Sequence, residues 1–123
     1  MSDRTDILLV EDEPNIAEAV RFILTRAGWA VATVGDGAAA MAAIRATRPR
    51  LVILDLMLPH RSGREILAEL RGETDRALAA TRVLLLTAQG QVADTARQAE
   101  ADAALSKPFA NDDLRALVQR LMD

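Results

Sequence analysis

The chain has 123 residues and a net charge of −3; half of it is apolar, with 24 alanines and only Phe22, Trp29 and Phe109 aromatic. Area scaling lets a chain of this length bury roughly two thirds of its surface, enough for one domain, whose core must come from Leu, Ile, Val and closely packed Ala. Without cysteine and with one histidine it holds no disulfide, iron–sulfur cluster, thiolate zinc or imidazole metal site, and its interspersed charges form no footprint for nucleic acid or an acidic membrane.

The polar start, Met1 to Asp6, followed by an apolar run of only four residues, gives neither a signal peptide nor a spanning helix, so a cytoplasmic protein is expected. That run, Ile7-Leu8-Leu9-Val10, is continuous, as in a strand covered on both faces. Ile16, Val20, Ile23, Leu24 and Ala27 then recur at helical spacing, with Pro14 near the start and Gly28 past the end. A weaker strand is expected from Ala30 to Val34, then an Ala-rich helix marked by Met41 and Ile44 and closed before Arg48-Pro49. Leu51-Val52-Ile53-Leu54 is a second continuous strand. Ile66, Leu67 and Leu70 mark a third helix from near Gly63 to Gly72, and Val83-Leu84-Leu85-Leu86 is a third continuous strand. A fourth helix over roughly Gln91 to Glu100 has only Val92, Ala93, Ala96 and Ala99 to bury, so its docking is weak and it should move most easily. A short strand at Ala103 to Leu105 follows. The last helix carries Leu114, Leu117, Val118 and Leu121 on one stripe, with Asn111 as its expected N-cap. This alternation implies an α/β fold: a doubly wound, five-stranded parallel sheet of order 2-1-3-4-5 with five helices, a flavodoxin-like three-layer sandwich forming one domain over residues 1–123.

In such a sheet the loops at the carboxyl ends of the strands form the binding crevice. Strand one runs into Glu11 and Asp12, strand three ends in Asp55, strand four in Thr87, and Lys107 follows strand five. Three converging carboxylates repel one another unless a cation lies between them. A small hard cation with oxygen ligands suits them, Mg²⁺ first, with Mn²⁺ the alternative. The metal would attract a phosphate, whose oxygens Lys107 would neutralise and Thr87 would hydrogen-bond. Asp55, between metal and donors, is then placed as a nucleophile toward phosphorus, giving an aspartyl phosphate.

The segments Leu9-Val10-Glu11-Asp12-Glu13-Pro14, Leu54-Asp55-Leu56-Met57-Leu58-Pro59, Ser62-Gly63, Leu86-Thr87-Ala88 and Lys107-Pro108-Phe109 together resemble the receiver domain of two-component response regulators. The resemblance covers essentially the whole chain. It implies that Asp55 is the phosphoacceptor for a sensor histidine kinase or phosphotransfer protein, and that Asp12, Asp55 and the backbone carbonyl of Met57 bind Mg²⁺, with Glu11 acting through a water. It also implies that Thr87 and Lys107 bind the phosphoryl group and that the Lys107–Pro108 bond is cis. The expected activity is phosphoryl acceptance with slow self-hydrolysis, not multiple-turnover catalysis. The expected output is switched contact with a downstream protein, by a monomer or weak dimer that touches neither nucleic acid nor membrane and carries no output segment.

Two departures from the family pattern stand out. Ala104 occupies the place of the usual aromatic switch, and the stretch from Thr87 to Lys107 is about two residues short. Phosphorylation is therefore expected to shift the segment from Thr87 to Gln91 and the weak fourth helix without a side-chain toggle. A phosphorylation-independent adaptor, or the receiver piece of a larger regulator, remains the alternative. Gly35-Asp36-Gly37-Ala38-Ala39-Ala40 fits a dinucleotide fingerprint, yet a simple turn and helix start explains it and leaves Asp12, Thr87 and Lys107 to the phosphate reading. A haloacid-dehalogenase-like phosphatase would need a second Asp where Met57 stands. His60 reads as a loop residue and Trp29 as packing before strand two, while Pro59 and Gly63 are expected to shape the loop after Asp55.

Overall fold

Five strands pair in parallel, β1 (Ile7–Val10), β2 (Val31–Val34), β3 (Leu51–Asp55), β4 (Arg82–Ala88) and β5 (Ala103–Lys107), in the order β2-β1-β3-β4-β5. The structure, a computed structural model, describes residues 5–88 and 101–123. Within these the helices are α1 (Pro14–Arg26), α2 (Gly37–Thr47), α3 (Gly63–Arg71), the one-turn α4 (Arg76–Ala79) and α5 (Asn111–Met122). The expected helix over Gln91 to Glu100 lies outside the described residues.

Alternation along the strands builds two cores, because successive side chains point to opposite faces. Leu8, Val10, Val52, Leu54, Val83 and Leu85 pack with Met41 and Ile44 of α2, Ile66, Leu67 and Leu70 of α3, and Leu78 of α4. On the other face Ile7, Leu9, Leu51, Ile53, Leu84 and Leu86 pack with Val20 and Leu24 of α1 and Leu114, Val118 and Met122 of α5. The strand side chains in both sets are essentially inaccessible, and each contributes about 1.5–3 kcal/mol relative to exposure. Both faces being covered explains the unbroken apolar runs.

Helix ends follow local chemistry. Pro14 opens α1, where a missing N–H costs nothing, and Glu13 caps it by accepting from Asn15 N–H at 2.9 Å. Asp36 caps α2 by accepting from Ala38 N–H. Ser62 and Glu65 form a reciprocal capping box at the start of α3. The dinucleotide-like Gly35 to Ala40 stretch is thus a turn and a helix start, following the sheet-edge strand β2. Trp29 packs against the α1/α5 core, with the Arg50 guanidinium 5.4 Å from its ring centroid.

The structure corrects three expectations. The N-cap of α5 is Ala110, which offers no side-chain cap; Asn111 is already helical. Strand five runs on to Lys107, since Leu105, Ser106 and Lys107 continue to pair with Leu86, Thr87 and Ala88. The turn α4 has no counterpart in the sequence reading; Asp75 caps it by accepting from Ala77 and Leu78 N–H.

Arg71, at the end of α3, ties this turn to the sheet. Its guanidinium donates to the carbonyls of Ala79 at 2.8 Å and Thr81 at 2.7 Å, and to Asp102 at 3.2 Å. Asp102 in turn accepts from Val83 N–H at the start of β4. Arg71→Ala is expected to cost about 2 kcal/mol, because two carbonyls lose a charged donor. A lowered urea midpoint at unchanged denaturant slope checks it. Arg71→Lys should recover only part of the loss, since an ammonium cannot reproduce the planar fork.

Candidate functional site

The parallel register brings the chemically active residues to one rim. Val10 pairs with Leu54, Asp55 with Leu86, and Thr87 with Ser106, the neighbour of Lys107. Glu11 therefore leaves β1 beside the end of β3, where Asp55 is the last strand residue, and Lys107 ends β5 beyond β4. Glu11, Asp55 and Thr87 are each only 3% exposed, whereas Asp12 faces solvent.

The carboxylates of Glu11, Asp12 and Asp55 present oxygens within 4.8 Å of one another. The Lys107 ammonium closes the cluster, donating to Asp55 Oδ2 at 2.9 Å and lying 3.1 Å from Glu11 Oε1. The second Asp55 oxygen accepts from Met57 N–H at 3.1 Å, and Glu11 Oε2 accepts from Glu13 N–H at 3.1 Å. Among the described residues, Glu11 Oε1 is the buried side-chain oxygen without a well-aligned hydrogen bond; the Lys107 ammonium lies 3.1 Å from it.

Burial pushes the Glu11 carboxyl above its ordinary value, against the opposing pull of the Glu13 N–H; Asp55 adds to the rise and Lys107 counters it. Burial works against the Lys107 charge, but its contacts with Asp55 and Glu11 outweigh this and raise its pKa. One ammonium thus serves a cluster of three carboxylates, contacting two of them, and one Glu11 oxygen lacks an aligned hydrogen bond. That deficit of positive charge fits a hard divalent cation bound by oxygen.

Main-chain packing fixes the segment after Asp55. Leu56 N–H donates to Leu86 O, and Gly63 N–H donates back to Leu56 O, both at 3.1 Å. A Cβ at Gly63 would lie 2.5 Å from the Asp55 carbonyl oxygen, so only glycine lets α3 begin there. On the far side of the loop, Gly37 abuts the backbone of Arg61 and donates to Pro59 O. His60, at φ 69°, contacts Asp36 at 3.1 Å. Met57, by contrast, projects into solvent, 80% exposed.

The structure thus brings together Glu11, Asp12, Asp55 and Lys107, with Thr87 buried on the same rim in the neighbouring strand. The Lys107–Pro108 bond is cis. The Met57 N–H contact with Asp55 and the Gly63 approach were not read from the sequence. The S-x-x-E pattern at Ser62 to Glu65 was the available signal for how the loop hands over to α3.

A five-stranded doubly wound sheet with an acidic cluster and a lysine at the carboxyl rim defines a phosphoryl-signalling module of the receiver type. The chain belongs to the response regulator receiver domain family, whose family model matches residues 7–119. Among its relatives, it is 42% identical over 120 residues to a Mycobacterium tuberculosis protein named probable transcriptional regulatory protein TcrX, covering 93% of this chain and 50% of that one. It is 36% identical over 118 residues to the DNA-binding response regulator MtrA of Mycolicibacterium smegmatis, covering 94% and 50%. The chain therefore spans about half the length of the curated relatives it matches. Among solved structures, the receiver domain of NtrX from Brucella abortus superposes with a TM-score of 0.83 at 32% identity, covering 95% of this chain and 98% of that one. The chemotaxis response regulator CheY4 of Vibrio cholerae gives 0.85 at 27% identity, covering 96% and 98%. The fold is that of signalling domains, not of a multiple-turnover enzyme family, and no described helix is long and apolar enough to cross a membrane.

Proposed function

We propose that Asp55 accepts a phosphoryl group from a phosphohistidine donor and returns it slowly to water. The observation that carries this reading is the Lys107 ammonium at 2.9 Å from the buried Asp55 carboxylate inside the acidic cluster. An Asp55 oxygen attacks phosphorus, the P–O bond forms as the donor's P–N bond breaks, and the imidazole leaves with the electron pair and takes up a proton. Hydrolysis reverses the loading: water attacks phosphorus, the aspartyl P–O bond breaks, and inorganic phosphate leaves. Little covalent work is asked of the chain, so positioning and charge stabilisation dominate. Lys107 holds a phosphoryl oxygen, and Thr87 donates its hydroxyl to another.

Glu11, Asp12, Asp55 and the Met57 carbonyl would hold Mg²⁺, or Mn²⁺ in its place, which when bound neutralises charge developing on the phosphoryl oxygens. Mg²⁺ should raise the melting temperature, by the equivalent of about 2.7 kcal/mol at a concentration 100-fold above its dissociation constant. Glu11 has a raised folded pKa, so without metal its contribution to stability is full below the ordinary value of 4.5 and is lost as pH rises through the raised one. The Mg²⁺-dependent gain should accordingly be small in acid and grow toward neutral pH, as melting curves with and without the ion would show.

The partners in this reading are a sensor histidine kinase or a histidine phosphotransfer protein upstream and a downstream protein whose contacts the phosphoryl group switches. Relatives named as DNA-binding regulators are about twice as long, so any nucleic-acid contact is assigned to segments beyond the receiver unit, which acts in the cytoplasm as a monomer or weak dimer. Ala104 is packed, partly exposed, against the α2/α3 core, and with no ring there to reorient, a docking adaptor that never takes phosphate is the second reading. Incubation with phosphoramidate and Mg²⁺ decides between them. Intact mass should show one labile phosphoryl group, mapping to the peptide that carries Asp55, whereas an adaptor would show none.

A further inference from the structure

Among the described methionines, Met41 and Met122 are buried at 4% and 6% exposure while Met57 is 80% exposed. Its neighbours Leu56 and Leu58 are tucked against the α2/α3 core, so the thioether stands out alone from a segment whose backbone is held on both sides. Leu56 is bonded to Leu86 and Gly63, and the Met57 N–H bonds Asp55 Oδ1 at 3.1 Å. A change at the Met57 side chain is therefore made on a residue with a fixed backbone, two positions from the phosphoacceptor and bonded through its N–H to that carboxylate. An exposed thioether is the soft, oxidisable group of this rim, the chain having no cysteine.

We infer that Met57 is a hydroperoxide-reactive modification site, and that its oxidation to the sulfoxide slows phosphoryl acceptance at Asp55. This regulation rests on the phosphoacceptor reading above. In the step, the sulfur lone pair attacks the terminal peroxide oxygen and the O–O bond breaks. An S–O bond forms, sulfur losing two electrons, and the peroxide is reduced to water or an alcohol. The product replaces an apolar, flexible side chain with a chiral dipole, bearing a negative oxygen, on the residue whose N–H contacts the carboxylate that must meet a phosphoryl anion. Approach of the anion is opposed there, while the groups that bind it in the pocket are unchanged.

The test is graded treatment with hydrogen peroxide, peptide mass mapping, and then phosphorylation by phosphoramidate with Mg²⁺, read by intact mass. Met57 should gain oxygen well before Met41 and Met122, with Met1, outside the described residues, read on its own peptide. The oxidised chain should take up phosphate about fivefold more slowly, the effect of a barrier about 1 kcal/mol higher. Methionine sulfoxide reductase should restore the rate, and Met57→Leu should be phosphorylated at a rate peroxide does not change. Equal oxidation of Met41 or Met122, or an unchanged rate once Met57 is oxidised, overturns the inference. If the untreated chain takes no phosphate at all, the phosphoacceptor reading itself fails and the regulatory role goes with it, a result distinct from either.

Discussion

Lys107→Ala is expected to slow phosphorylation of Asp55 by phosphoramidate by about 10²–10³-fold, the loss typical of removing one preorganised donor from a developing anion. The ammonium is the cation in contact with both buried carboxylates, 2.9 Å from Asp55 and 3.1 Å from Glu11. Its charge compensates the acidic cluster, and in the proposed reaction it would meet phosphoryl oxygens where water is largely excluded. Lys107→Arg should recover only part of the rate, because a planar, forked guanidinium replaces a compact charge set against the buried carboxylates of Glu11 and Asp55. Stability should fall less than for a fully buried pair, by about 1–2 kcal/mol, since a quarter of the Lys107 side chain stays exposed and solvent screens that part. The variant should also lean on metal more strongly, with Mg²⁺ producing a larger rise in melting temperature than in the parent. A rate within a few-fold of the parent would remove Lys107 from the chemistry and leave it a structural ion-pair partner.

What the sequence revealed and what it hid divide along local and non-local lines. The runs at Ile7, Leu51 and Val83 were legible because strands covered on both faces need continuous apolar residues, and the strand ends then located Glu11, Asp55, Thr87 and Lys107 without any contact being known. Topology did the placing: in a parallel sheet every carboxyl end lies on the same rim. The turn α4 was illegible because four residues, Arg76 to Ala79, are too few to show a periodic stripe. It is held instead by Asp75 and by Arg71 from another helix. Asn111 misled because residue type favours it as a cap, whereas the backbone at Ala110 is the extended position before the helix. The approach of Gly37 to Arg61 joins residues distant in sequence and that of Gly63 to Asp55 closes a loop, and no periodicity encodes either. The sequence singled out Met57 for its carbonyl, but its thioether reads there as one more apolar side chain, and its exposure emerges only from the structure.

Gly63→Ala should be the most disruptive small substitution near the site, at about 3 kcal/mol or more, toward the upper end for overpacking. The added Cβ would stand 2.5 Å from the Asp55 carbonyl oxygen and 2.9 Å from Leu56 Cα. Both are main-chain atoms, pinned by the Gly63–Leu56 and Leu56–Leu86 hydrogen bonds, so no rotamer change can relieve the clash. The backbone must shift, and the atoms that shift carry Asp55, the proposed phosphoacceptor. Gly35→Ala is the control. Its Cβ would meet nothing nearer than the Glu11 carbonyl oxygen at 3.8 Å, and its φ is outside the left-handed region, so alanine there should be neutral or stabilising by a few tenths to about 1 kcal/mol. Urea melts should place Gly63→Ala well below the parent and Gly35→Ala at or above it. Where Gly63→Ala still folds, phosphorylation should fall by up to about 10²-fold, because misplacing a reacting group by about 1 Å costs that much. Parent-like stability with a parent-like rate would mean that α3 can retreat freely from β3, and that the loop after Asp55 is not what holds the carboxylate in register with Lys107.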